Sequence, residues 1–425
     1  MPNRIVGLFF LLLPLSFFGQ EAEKAATSVL SYARNFTSTL CSPEYEGRGY
    51  VNHGCRKAGA LIVDEFKRNG LLPYLGNYDQ AFNLNVNTFP NQCKVKFGLR
   101  KLKPGRDYLV HPSSAGYKGV LSLKRMSAAE IMNYRMGTAP SKTAIAFVAG
   151  KVLSADSVKL VRSKLEKIAQ TECAVVEYTR EKLTWSVSKQ RFKFPYITCF
   201  DTLQRRKDSK INVNIDNDFL SRYEVRNCFG WVPSVKPSDS IIVVSAHYDH
   251  LGRMGKKTYF PGANDNASGV AMLMSLARAI QQQPLQNHSV LFVAFAGEEI
   301  GLEGSFALVE SGILDLKKIS MVLNLDILGS GEEGITVVNG SVFPQFYHRL
   351  VQLNESIPAV PVVKPRGKAA NSDHYPFSEK GVPSLFVYTM GPNKNYHDIH
   401  DRYENLSFDR FESLHYLFVR FLNRF

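Results

Sequence analysis

Beyond its first twenty positions the 425-residue chain has no apolar run of the roughly 20 residues that a bilayer span takes, so no later transmembrane helix is expected. None of its six cysteines forms a C-x-x-C pair, which removes the usual thiolate metal sites, and none follows the apolar leader as a lipoprotein would require. There is no internal repeat and no low-complexity tract, which excludes collagen-like and disordered chains. Lys and Arg number 52 against 38 Asp and Glu, a net charge of +14, yet they are spread along the chain rather than packed into long runs. The excess therefore reads as a basic protein and not as a nucleic-acid binder.

What is present fits a globular chain: 44% hydrophobic and 21% charged residues can bury one large core or two modest ones. MPNRIVGLFFLLLPLSFFGQ sets one Arg before an apolar run that Pro14 interrupts, then small and polar residues, the layout of a secretory signal cleaved near Gly19. The expected location is secreted or periplasmic and cell-envelope, with no membrane span once the signal is gone. Cys41, Cys55, Cys93, Cys173, Cys199 and Cys228 all precede the chemical motifs. An exported chain is expected to oxidise some of them, and Cys41 with Cys55, which flank one Gly-rich turn, is the first pairing to test.

Residues 20–91 form an N-terminal part with amphipathic helices at 24–40 and 54–69 around a turn-rich stretch. From 92 to 216 the texture changes to short β-rich runs at 144–148, 174–178 and 196–199, with a helical pattern at 156–170. This predicts an inserted, smaller α+β module with a structural or substrate-gating role. Residues 217–425 alternate strands (241–246, 290–295, 321–325, 384–388) with helices (267–282, 305–309, 344–353 and 408 to the end). That alternation predicts an α/β fold: a mixed, largely parallel, doubly wound sheet flanked by helices.

The chemistry shows where polar residues interrupt that pattern. Each of three apolar strands ends in a metal-type ligand: 241–246 runs into His247, 290–296 into Gly297-Glu298-Glu299, and 321–325 into Asp326. In open α/β sheets, sites form outside the carboxyl ends of the strands, and buried charges cost free energy unless paired. Asp265, just before a helix, and His397, in the loop after the last strand, complete a set of three carboxylates and two imidazoles. Such a set suits zinc, and cobalt or manganese also fit; a bridging carboxylate suits two ions. Of the adjacent pair, Glu299 can bind metal while Glu298 stays free as a general base. Asp249 is placed to hold the His247 imidazole from behind.

The stretches AHYDHLG, GANDNASGVAMLM, FAGEEIGLEGS, NLDILG, SDHYPFSEKGVPSLF and YH-x-x-HD-x-x-EN, in this order, resemble the co-catalytic di-zinc aminopeptidase family. That family also takes in glutamate carboxypeptidases, transferrin-receptor ectodomains and, more distantly, glutaminyl cyclases. The resemblance is close over 227–405, and EGRG with KAG at 46–66 is similar to the helical lead-in of many secreted members. It implies the zinc exopeptidase fold and two zinc ions, one on His247, Asp265 and Asp326, the other on Asp265, Glu299 and His397. Asp265 is then the bridge, Glu298 the base, and Tyr396 a group that polarises the scissile carbonyl. It implies peptide substrates and removal of their N-terminal residues. A carboxypeptidase or dipeptidase, a glutaminyl cyclase-like transferase and a metal-free receptor-like ectodomain are the alternatives. The closing motif departs from the family's YHTP-x-D-T at Asp398, His400 and Arg402, which makes His400 a rival ligand. His397 is preferred because Asp401, Glu404 and Asn405 then fall at the family spacing. The module at 92–216 stands where some relatives carry a protease-associated insert, without a matching signature.

Asp373 and His374 are read as support for the site or its substrate pocket, and Met272 with Met274 as core. His53, His111, His288, His348 and His415 have no partner pattern and are read as structural. N-x-S/T occurs at Asn35, Asn266, Asn287, Asn339, Asn354 and Asn405. A glycan on Asn266 would obstruct the site beside it, so most of these motifs are read as chance.

Overall fold

The computed structural model describes residues 28–138, 142–149, 154–203 and 208–425. The signal-sequence reading falls on residues outside these. Among the described residues no helix is long and apolar enough to cross a membrane.

Two eight-stranded sheets organise the chain. The first has the order Asp79–Thr88, Asp218–Val232, Ser289–Phe295, Ile241–His247, Ile319–Leu325, Ser384–Met390, Gly334–Val338, Val363–Pro365. Its four central strands, from Ser289–Phe295 to Ser384–Met390, run parallel, and antiparallel neighbours flank them on either side. The strands expected at 241–246, 290–295, 321–325 and 384–388 are these four. Side chains alternate across the pleat: Ile242, Val244 and Ala246 enter the large core under the helix Ser268–Gln282, while Ile241 and Val243 enter a second core with Leu308 and Phe377. Both faces are thus covered, which explains the near-continuous apolar runs.

The long antiparallel pair Asp79–Thr88 and Asp218–Val232 was not anticipated. Its residues are only partly buried over much of their length, so the apolar signal that marks the central strands is missing there.

The second sheet runs Arg100–Lys101, Cys93–Phe97, Lys210–Ile215, Tyr117–Arg125, Thr143–Val148, Ala174–Thr179, Tyr196–Phe200, Tyr108–Val110. The helix Ala155–Thr171 covers one face through Val161, Leu165 and Ile168. The other face packs into one apolar cluster with Leu251, Met254 and Phe260, which follow the strand Ile241–His247. The second sheet therefore packs against the stretch that follows His247.

The six cysteines are all free and buried, which corrects the expectation of disulfides. Cys41 faces Arg48, whereas Cys55 faces Tyr248 and Cys228, so the turn between them does not bring their sulfurs together. Burial pushes the Cys41 thiol up to about 12.

Candidate metal centre

Three adjacent parallel strands deliver the first ligands to one edge. His247 is the last residue of Ile241–His247, Asp326 directly follows Ile319–Leu325, and Glu298 and Glu299 follow Ser289–Phe295 after a bend at Gly297. Gly297 stands at φ +75°, a left-handed conformation that glycine adopts without strain. Asp265 sits in the irregular turn Ala263–Ala267 that opens the helix Ser268–Gln282.

These side chains converge. His247 Nε2 lies 3.3 Å from Asp265 Oδ1 and 3.4 Å from Asp326 Oδ1. His397 Nε2 lies 3.0 Å from Asp265 Oδ2 and 3.0 Å from Glu299 Oε2. The two oxygens of one carboxylate thus face two different imidazoles. A tetrahedral zinc with bonds of about 2.0 Å separates neighbouring donor atoms by about 3.3 Å, so these spacings are those of ligands around an ion. Asp326 Oδ1 is buried without a hydrogen-bond partner, as an atom reserved for a cation would be. Three carboxylates and two imidazoles fit zinc in chemistry as well as in spacing.

The far nitrogen of each imidazole is fixed by an acceptor. His247 Nδ1 donates to the Asp249 carbonyl at 3.2 Å, and His397 Nδ1 to the Trp185 carbonyl at 2.9 Å. A carbonyl can only accept, so both rings are held as the tautomer that leaves Nε2 free for a metal. The Asp249 carboxylate is 3.9 Å from His247 Nδ1 and spends its hydrogen bonds elsewhere, on the Glu298 amide and the Tyr50 hydroxyl. It braces the Glu298 backbone more directly than the imidazole.

Other residues set the ligands without touching an ion. Asp401 accepts the amides of Asn264 and Asp265. Ser372 donates to Asp326 Oδ2 and accepts from Asn324, which in turn accepts from Ser245. Arg48, from the EGRG stretch, is fully buried and donates to the carbonyls of Leu40, Tyr248, Pro261, Gly262 and Asp265. His250 Nδ1 donates to Glu299 Oε1 at 2.6 Å. The sequence reading gave His250 no role, although it stands three residues past His247 in AHYDHLG. Among the described residues the triads whose donor atoms lie close enough together to hold one ion are His247 with Asp265 and Asp326, and His250, not His397, with Asp265 and Glu299; His250 Nδ1 is already engaged by Glu299 Oε1.

The clustered charges shift one another. Burial lifts the Glu298 carboxyl well above the usual range, with Glu299 adding to it, and also raises Asp326. Although burial alone would raise Asp265, hydrogen bonds from His247 and His397 hold it well below. Against burial, the carboxylates of Asp326 and Glu298 push His247 well up, and Glu299 and Asp265 push His397 up to about 11. Without a cation the acids and imidazoles must share protons to coexist, which is the electrostatic signature of a metal site.

Tyr396 is 46% exposed and stacks on the His397 ring at 4.0 Å, at the mouth of the cluster. His400 is exposed and lines an outer cavity with Lys394 and Asn405, away from the converging ligands. Asp373 and His374 are fully buried; Asp373 lies close enough to Glu298 to raise it, and burial pushes Asp373 itself up to about 7. Asn266 is fully buried and bonded to Leu325, Gly269 and Ile327, so it cannot carry a glycan in the folded chain.

Residues 228–422 match peptidase family M28. Aminopeptidase YwaD of Bacillus subtilis is 29% identical over 184 residues, 40% of this chain and 38% of that protein. A probable leucine aminopeptidase of Arthroderma otae is 32% identical over 157 residues, 36% of this chain and 43% of its own length. The matched stretch thus spans about two-fifths of these relatives. Among solved structures, the zinc aminopeptidase BSAP of Bacillus subtilis superposes with a TM-score of 0.70 at 18% identity, covering 92% of this chain and 94% of that one. A peptidase M28 precursor from Shewanella amazonensis SB2B gives 0.68 at 16% identity, with 95% and 94% covered. At these identities the likeness speaks for the fold, and it extends over both sheets. The candidate ligand cluster lies in the same segment that matches peptidase family M28, residues 228–422.

Proposed function

We propose that this protein is an exported, zinc-dependent aminopeptidase that hydrolyses the N-terminal peptide bond of peptides. In this reading a signal at 1–19 precedes the N-terminal part 20–91, the inserted module 92–216 and the catalytic part 217–425. The observation that carries the proposal is the Asp265 carboxylate, with Oδ1 3.3 Å from His247 Nε2 and Oδ2 3.0 Å from His397 Nε2. That arrangement suits a bridge between two ions. His247, Asp265 and Asp326 would hold one and Asp265, Glu299 and His397 the other. Bound zinc would polarise the scissile carbonyl and make water acidic enough to react near neutral pH.

The protein's own groups then do the rest. Glu298 takes the attacking water's proton on a carboxylate oxygen and passes it to the departing amine nitrogen. Its backbone amide is fixed on Asp249, so the carboxylate works from a rigid base. The Tyr396 hydroxyl, on a ring stacked over His397, is available to donate to the carbonyl oxygen as negative charge develops there. Carboxylates of the cluster attract the free α-amine, which favours an N-terminal substrate end.

The test is metal analysis joined to a screen of aminoacyl, dipeptide and C-terminally free substrates, on wild type and Glu298→Gln. The expected result is about two zinc ions in both proteins, release of N-terminal residues by wild type, and turnover in the variant lower by about 10²–10⁴-fold. Undiminished turnover in Glu298→Gln would sink the base assignment, and release of C-terminal residues alone would sink the aminopeptidase reading.

A further inference from the structure

The metal-ligand candidates differ in how they are held. His247, Glu299 and Asp326 stand at or just beyond strand ends, where the sheet fixes the backbone. His397 does not: it lies in the loop after Ser384–Met390, in a left-handed conformation at φ +53° that a non-glycine residue rarely adopts. Something must hold it there, because ordering a loop residue costs about 1–2 kcal/mol of backbone entropy before any strain is counted.

What holds it comes from the other sheet's part of the chain. The Trp185 amide donates to the His397 carbonyl at 2.8 Å, and His397 Nδ1 donates back to the Trp185 carbonyl at 2.9 Å, closing a ring between residues 212 positions apart. Three residues earlier, the Lys182 ammonium meets the Lys394 carbonyl at 2.6 Å, the Tyr396 carbonyl at 3.2 Å and Asp398 Oδ2 at 2.5 Å. An ammonium has three protons, and each has an acceptor on the loop around His397. The segment is anchored in turn: the Trp185 indole N–H donates to the Val110 carbonyl at 2.7 Å and its ring stacks on Phe260 at 4.7 Å. Further along, the Asn87 amide donates to the Ser188 carbonyl, and Lys189 pairs with Glu303.

We propose that the extended segment from Lys182 to Lys189 is a strap that builds the second metal position: Trp185 through its main chain and Lys182 through its ammonium are positioning residues for His397. The inference rests on the two-zinc reading above. It gives the second sheet a part in metal binding that its own composition does not announce, since the strap supplies no ligand. The competing account is that the strap only docks the two sheets together. That account predicts a change in stability and no selective change in metal affinity.

The experiment uses the full-length protein with Lys182→Met, which removes the charge from a side chain 44% exposed and keeps its length. Zinc affinity is read by competition with a chromophoric chelator, stoichiometry by elemental analysis, and the thermal midpoint of the metal-free protein serves as control. The expected result is that one of two zinc ions binds about 10–100-fold more weakly, the effect usual for removing an outer hydrogen-bond partner. The other ion and the metal-free midpoint stay as in wild type, and Lys182→Arg recovers most of the loss. Equal affinities for both ions in Lys182→Met and wild type would overturn the proposal, as would a parallel weakening of both ions with a lowered metal-free midpoint. If wild type itself takes up no zinc, the two-zinc reading falls and this inference with it. Trp185→Phe, which keeps the ring stack and deletes the indole donor, carries the same comparison if Lys182→Met does not fold.

Discussion

Asp401 accepts the backbone amide of Asp265 on Oδ2 at 3.0 Å, so one buried carboxylate holds the main chain of another, the proposed bridge, in place. Its other oxygen takes the Asn264 amide at 2.9 Å. Asp401→Asn keeps the volume but turns an NH2 group towards one of these N–H donors. Zinc affinity is expected to fall by about 10–100-fold with the fold retained, as measured by chelator competition alongside circular dichroism. Unchanged affinity would mean that Arg48 alone secures the turn.

Arg48 offers the complementary test. Its guanidinium serves five main-chain carbonyls from three stretches of chain and is fully buried. Arg48→Ala leaves several buried acceptors without a donor, each costing about 1–3 kcal/mol. A loss of at least about 3 kcal/mol is expected in the urea unfolding of the metal-free protein. Arg48→Lys retains the charge but presents three donors from a single point, and is expected to fall between the two. A loss below about 0.5 kcal/mol for Arg48→Ala would contradict the role given to this cage.

The metal-free protein should become less stable as pH rises. Burial pushes Asp373 and Asp401 up to about 7 and Asp249 up to about 6. Unfolded Asp titrates near about 3.9, so between about pH 4 and 7 the folded chain holds protons that the unfolded chain has released. The stability these groups contribute is complete below about pH 4 and is lost as pH climbs through their folded values. His397, pushed up to about 11, acts in the same direction above about pH 6.5. Glu299, held down at about 2, acts oppositely and only at the acid end. Thermal midpoints of chelated protein are expected to fall between about pH 5 and 8, while the increment from added zinc grows, because the ion displaces those protons. A midpoint that rises over this range without metal would refute the account.

Much of this was legible in the sequence because the central strands are buried on both faces. Continuous apolar runs at 241–246, 290–295 and 321–325 located the strands, and the polar residues closing those runs are among the side chains that the fold brings together. The amphipathic helices at 54–69 and 156–170 carried their own period. What escaped lacks such a signal. Trp185 acts through its peptide group, which no side-chain pattern reports. Arg48 looks like any surface arginine until three distant stretches fold around it. His250 was visible beside His247, but its role depends on the position of Glu299, 49 residues away. The cysteines misled because export was taken to imply pairing, whereas pairing needs sulfurs that face each other.

Leu251, Met254 and Phe260 belong to the same apolar cluster as the second sheet and are at most 3% exposed. Excising residues 93–215 to obtain a minimal catalytic unit would turn these side chains out to water and strip His397 of its acceptor in one stroke. The second sheet is therefore a wall of the half that carries the candidate site and not an annex to it. A replacement for residues 93–215 would have to bring both a new apolar cover and a new carbonyl for His397.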